Sequence, residues 1–342
     1  MSPRAPGTPD SRTGLTEEEG SYDTLQGSWE QNKNEPAGSV WARALRLLRA
    51  YAGDWILTIL LAGTLWSLNR AYGFRSPFSL DDKSIQYRHI PNERVPTALL
   101  IACAFVVPVM LQATVSLGLS RLDWYDFHQS ALGLLLTHGI TLTVTTCVKI
   151  SVGRTRPDFI DRCQPPVGAV DPVPYGLNSE AICTTSLDSA LIKDGFRSFP
   201  SGHSSAAFAG LTFLTWFLAG HFHLFGDRAR VWVSWIVATP PLGACLIAIS
   251  RLMDNRHHPT DVIAGAILGA VVASSIYHQY YPPLWAGDGH RPYKPSAPPS
   301  SLVMTPAERE HFLRGCDNAA GDLESGRAGD GEASGRHTST AV

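Results

Sequence analysis

From Leu99 to Leu119 the chain carries no charged side chain, and Gln112 is its most polar member. A helix that faces water keeps a polar side, and this stretch has almost none in any direction. Its natural solvent is lipid. Crossing the core of a bilayer takes about 20 residues, and six stretches come near that length: Tyr51–Leu68, Val95–Leu119, His128–Lys149, Ser204–Phe225, Val231–Ile249 and Asp261–Tyr281. Trp55, Trp66, Trp216, Trp232, Trp235, Tyr280 and Tyr281 fall mostly near their ends, as an aromatic belt would. The fold expected is an all-α bundle of six transmembrane helices. The fourth stretch is the least apolar, opening on Ser204 and Ser205 and closing with His221 and His223. The sixth is rich in small residues (Gly265, Ala266, Gly269, Ala270, Ala273), which favour close helix packing.

The mean hydropathy of -0.02 conceals this, because the two ends dilute the middle. Residues 1–40 and 286–342 are rich in Gly, Pro, Ser and acids, and read as disordered tails around a membrane domain over 41–285. A net charge of -2 gives no hint of a nucleic-acid partner. No charged-then-apolar leader with a cleavage site opens the chain, so the first span is expected to act as an uncleaved signal.

Spans alternate in direction, and that alone has a consequence. The third ends at Lys149, the fourth begins after His203, the fifth ends before Ser250 and the sixth begins at Asp261, so all four points are expected on one membrane face. Three motifs meet there: Lys149 with Arg156-Pro157, Pro200-Ser201-Gly202-His203, and Ser250-Arg251 with His257 and Asp261. They bring three cations, two histidines and one carboxylate. Arg251 is a planar fork suited to phosphate. A helix starting at Ser201 to Ser204 would aim free backbone N–H groups into the same space, and Gly202 lets that backbone approach an anion closely. Taken singly, Lys149 and Arg156 read as snorkelling interfacial side chains, and Pro-Ser-Gly-His as an ordinary N-cap. Taken jointly, they describe a site for a phosphoryl group held by protein charge.

Those three motifs together resemble the signature of the type 2 phosphatidic acid phosphatase superfamily, integral-membrane lipid phosphatases related to vanadium haloperoxidases. The neighbouring words GRTRPDFIDRC and KDGFRSFPSGHSS look like the fungal enzymes acting on phosphatidate and diacylglycerol pyrophosphate. The likeness spans about residues 45–285, and Thr155 stands where similar proteins often have proline. It implies that His257 is the nucleophile forming a phosphohistidine, Asp261 its orienting residue, and His203 the general acid and later base. Lys149, Arg156, Arg251, Ser201 and Gly202 would cradle the phosphate. It implies no cofactor and no metal, a lipid phosphate substrate among the membrane lipids, and a site facing the lumen or cell exterior. Organelle and oligomeric state stay open.

Rival readings are a phosphatase for sphingoid-base phosphates or isoprenoid pyrophosphates, and a non-catalytic membrane protein of the same fold. Within helical reach of Asp261, geometry does not choose between His257 and His258; the family pattern chooses His257, leaving His258 a structural or cradle-edge role. Arg154 and Arg197 either add positive potential or sit at the lipid surface. Asp254 and Arg256 read as loop residues, and His138 as a packed histidine inside the third span. Cys103, Cys147 and Cys245 read as small packing residues in spans. Cys163 and Cys183 share a loop that a disulfide would close in an oxidising compartment. Arg43, Arg46 and Arg49 before the first span favour a cytoplasmic N-terminus.

Overall fold

A computed structural model describes residues 45, 47–119, 123–225, 230–286 and 289–293. Among them the regular structure is helical, with one isolated bridge between Phe78 and Asn178. Six long helices carry the architecture: α1 (Ala52–Arg70), α2 (Thr97–Leu119), α3 (Trp124–Val152), α6 (Gly202–His221), α7 (Val231–Met253) and α8 (Pro259–Tyr280). Two short ones, α4 (Phe159–Cys163) and α5 (Ala190–Gly195), lie in the connection between α3 and α6. The tail expected over 1–40 lies outside the described residues, as does most of that over 286–342. The first residues of the latter are held: Tyr293 N–H donates to Tyr280 O at 2.8 Å and Tyr125 Oη to Tyr293 O at 2.5 Å.

Among the described residues four helices, α2, α3, α7 and α8, are long and apolar enough to cross a membrane. Large apolar side chains such as Ile59, Met110, Trp235, Leu242 and Ile267 point outward from α1, α2, α7 and α8. The two helices outside that group of four have local reasons. Helix α1 carries Asp54 and ends on Asn-Arg; α6 opens on Gly-His-Ser-Ser. Helix α6 is also central, packed by α8, α7, α3 and α2, with Ala207, Phe213, Leu214 and Phe217 fully enclosed. A helix walled by other helices has no lipid to satisfy.

The closest packing is between α6 and α8. A Cβ added at Gly265 would stand 2.6 Å from Ser201 O, and one at Gly269 2.3 Å from Ser205 O. The backbones therefore approach to a distance only glycine allows, and this seats the start of α8 against the start of α6. Helix α2 widens twice into π turns, at Ala102–Val106 and Thr114–Leu119. The first precedes Pro108, whose missing N–H disrupts regular α pairing.

Contacts sort the helix ends into two groups. At one end, Tyr51 Oη meets Tyr125 Oη at 2.8 Å, and Asp126 takes Tyr281 Oη at 2.8 Å, His221 Nε2 at 3.0 Å and the Ser116 hydroxyl. That ties α1, α2, α3, α6 and the residue after α8. The other end gathers the long connections. There a small core of Phe78, Ile85, Phe159, Ile192 and Phe196 is closed by a disulfide between Cys163 and Cys183. Closing a loop with a sequence separation of 20 contributes about 3 kcal/mol in the chain-entropy account. Cys147 and Cys245, expected as packing residues, are exposed on the outer faces of α3 and α7; a weakly polar thiol is tolerated against lipid.

Candidate active site

Each motif reaches the site because a helix ends there. Helix α3 stops at Gly153, left-handed with φ 58°, whose N–H caps Lys149 O at 3.2 Å. A side chain there would collide with Phe74 O. Lys149 is left in the last turn, pointing at the start of α6. Helix α6 begins after Ser201, whose Oγ accepts from Ser204 N. Helix α8 begins after His258 in a reciprocal cap: His258 O accepts from the Asp261 N–H at 3.0 Å while the Asp261 carboxylate accepts from His258 N–H at 3.0 Å.

Two consecutive residues between α5 and α6 tie these ends together. Arg197 O accepts from Lys149 Nζ at 3.0 Å. Ser198 O accepts from His257 Nδ1 at 2.7 Å, and Ser198 Oγ donates to Asp261 Oδ2 at 2.5 Å. Ser201 N–H donates to Asp261 O at 2.9 Å. Because a carbonyl oxygen only accepts, the proton of His257 sits on Nδ1 and leaves the Nε2 lone pair free. Burial holds this imidazole well below its ordinary pKa; Asp261 pulls the other way, and Arg156 and Lys149 reinforce the burial. The ring is therefore neutral at pH 7.

Asp261 itself lies 3.8 Å from His257 Nδ1 and 3.3 Å from His258 Nδ1. Its nearer partners are Ser198 and Arg154, whose Nη1 is 2.7 Å from Oδ1. It is joined to His257 through Ser198 and the α8 cap. Arg154 is thus drawn inward to Asp261 and Thr260.

The cations differ in how they are held. Arg156 is buried and forked onto Asp194, by Nη2 to Oδ1 at 2.6 Å and Nε to the main-chain oxygen at 2.9 Å. Asp194 also takes Arg162 at 3.0 Å and Arg256 at 3.6 Å. Arg251, 1% exposed, is held by Glu93 at 2.7 Å, Asp254 at 3.0 Å and Ser250 Oγ at 3.1 Å. Lys149 has only a carbonyl and no ion-pair partner among the described residues. His203 Nε2 meets Val95 O at 3.2 Å, with Glu93 Oε2 3.8 Å away.

Three groups not singled out in the sequence belong here. Glu93 joins Arg251, Arg256 (3.1 Å) and His203; Asp194 gathers three arginines; Ser198 joins His257 to Asp261. Asp254 and Arg256, read as loop residues, are buried: Asp254 bridges Arg251 and Arg94, and Arg256 bridges Glu93 and Asp194. His138 lies apart in α3, bonded to Leu134 O at 3.0 Å. The cluster can fix a neutral imidazole, hold an anion among several cations, and present a second histidine nearby.

The sequence pattern described as the PAP2 superfamily matches residues 130–285. Diacylglycerol pyrophosphate phosphatase 1 of Saccharomyces cerevisiae is 36% identical over 236 residues, covering 68% of this chain and 80% of the relative. Lipid phosphate phosphatase 1 of Arabidopsis thaliana is 35% identical over 248 residues, 72% of this chain and 73% of the relative. Probable diacylglycerol pyrophosphate phosphatase 1 of Schizosaccharomyces pombe is 38% identical over 213 residues, 62% and 74% respectively. No solved structure matches.

Proposed function

The chain belongs to the PAP2 superfamily, and from that premise we propose that it is an integral-membrane lipid phosphatase. It hydrolyses phosphatidate, and with it diacylglycerol pyrophosphate and lysophosphatidate, through a phosphohistidine. The observation that carries the reading is the meeting of Lys149, from one motif, with His257 and Asp261, from another, on Arg197 O and on the carbonyl and hydroxyl of Ser198. His257 Nε2 attacks phosphorus and the bond to the lipid oxygen breaks, with His203 giving that oxygen a proton. His203 then takes a proton from water, which attacks phosphorus and breaks the P–N bond, releasing phosphate. Positive charge arising on the His257 ring is shared with Ser198 O and with Asp261 nearby. Lys149, Arg156, Arg251, Ser201 and the Gly202 N–H stabilise the equatorial oxygens, the largest contribution expected in such a transfer.

In this reading α1 and α6 also cross the bilayer, making six spans in a domain over 41–285 between two tails. The separation of the helix ends into two contact groups supports it. So does Cys163–Cys183, which suits an oxidising lumen or exterior on the site's side; Arg43, Arg46 and Arg49 suit a cytoplasmic N-terminus.

Purified protein in mixed micelles is expected to release phosphate from phosphatidate with chelator present, since side-chain cations do the work of a metal. A strict divalent requirement, or no release from any of phosphatidate, diacylglycerol pyrophosphate, lysophosphatidate and a sphingoid-base phosphate, overturns the reading.

Glu93 engages the same Arg251 that the substrate needs, and a carboxylate and a phosphate compete for one fork. Glu93→Gln is expected to tighten inhibition by inorganic phosphate by about tenfold, one charge-assisted contact's worth. Weaker phosphate inhibition with a raised KM would make Glu93 a support for Arg251 instead.

A further inference from the structure

Beside the cluster lies a cavity of about 380 Å³, and five of its fourteen lining residues are cations against one acid. Lys149 is one of the five. Its ammonium also lies 3.9 Å from where a Cβ on Gly202 would stand, so the same side chain borders both the start of α6 and this cavity. The acid is Asp194, already engaged by Arg156 and Arg162. Arg75 is matched by Glu180 at 2.6 Å. Arg70 and Arg197 differ. Arg70 stacks its guanidinium on Trp66, 3.6 Å from the ring centre, and Arg197 reaches Ala71 O at 3.2 Å. Neither has an ion-pair partner among the described residues, so their charge is not cancelled. Tyr72, Phe74, Ile150 and Phe196 give the cavity an apolar wall beside these cations.

We propose that this cavity is a second phosphate site, taking the lipid-bearing phosphate of a lipid pyrophosphate while the terminal phosphate lies at His257. The proposal rests on the phosphatase reading and narrows it to a substrate class. A phosphate one bridging oxygen from the scissile phosphorus would share Lys149 and be held further by Arg197 and Arg70. The apolar wall would take the carbons between that phosphate and the bilayer. A phosphate monoester places only its glycerol here and gains nothing from the two arginines. The cavity therefore favours pyrophosphate over monoester by charge, and distinguishes their headgroups before any chemistry.

The test uses the full-length protein and the double variant Arg70→Ala/Arg197→Ala. First, inorganic pyrophosphate is expected to bind the wild type at least about tenfold more tightly than inorganic phosphate, a gap the variant loses. Second, the ratio of kcat/KM for diacylglycerol pyrophosphate to that for phosphatidate is expected to fall by about tenfold or more in the variant. Equal binding of the two anions by wild type, or a ratio unchanged within twofold, overturns the second site. Equal losses on both substrates do so as well, since they mark a general supporting role. If no lipid is hydrolysed but pyrophosphate keeps its advantage in binding, the phosphatase reading fails and the second site stands.

Discussion

His257→Ala is expected to lose at least about 10⁴-fold in kcat, the scale seen when a covalent nucleophile is removed, and to carry no phosphoryl label when the reaction is quenched in alkali. The expectation depends on which ring nitrogen is free. His257 gives Nδ1–H to Ser198 O, so Nε2 has no competing proton, and its depressed pKa keeps it unprotonated at neutral pH. His258 is committed elsewhere. Its backbone N–H and O cap α8, and its Nδ1 faces the Asp261 carboxylate at 3.3 Å. His258→Ala is accordingly expected to retain label while losing about 1 kcal/mol of stability with the Nδ1 hydrogen bond to Asp261. Thermal melting of the two variants separates the roles. Label surviving in His257→Ala and absent from His258→Ala would exchange the two histidines.

What could be read from the chain depended on whether a residue announces itself locally. The helices were legible because apolar runs and their interruptions are local: all six expected stretches lie on long helices, with ends shifted by a few residues. The basic and imidazole residues were legible as motifs because each sits within a turn of a helix end. Their acidic partners were not. Glu93 and Asp194 come from connections with no periodicity, and nothing in ordinary spacing announces that they fold onto Arg251 and Arg156. Their only advance signal was arithmetic: several buried arginines at one face need anions when no phosphate is bound. The same reasoning would have moved Asp254 and Arg256 inward. Ser198 escaped because a serine in a loop has no distinguishing chemistry until its carbonyl and hydroxyl are found facing different motifs. Helix α6 looked less apolar than the other helices for a reason that is structural, since polar residues stand at its start and the rest faces other helices.

His203→Ala is expected to lose about 10²–10⁴-fold in steady-state hydrolysis of phosphatidate, the range for removing a general acid–base. The loss should divide between two steps in a way that no structural role would reproduce. Forming the phosphoenzyme from a lipid alkoxide needs a proton on the leaving oxygen; forming it from an aryl phosphate with a weakly basic leaving group does not. Breaking the P–N bond with water needs a base whichever substrate was used. An aryl phosphate should therefore still give His203→Ala a rapid burst of one equivalent of phenol, followed by slow turnover, with labelled enzyme accumulating. A lipid should give no burst. His203 is placed for this by the first turn of α6, with Val95 O fixing one side of its ring, and its loss leaves the Ser198 contacts to His257 and Asp261 in place. If burst and turnover fall together for the aryl substrate, His203 shapes the pocket instead of moving protons. The acid would then have to be sought among the other groups around Glu93.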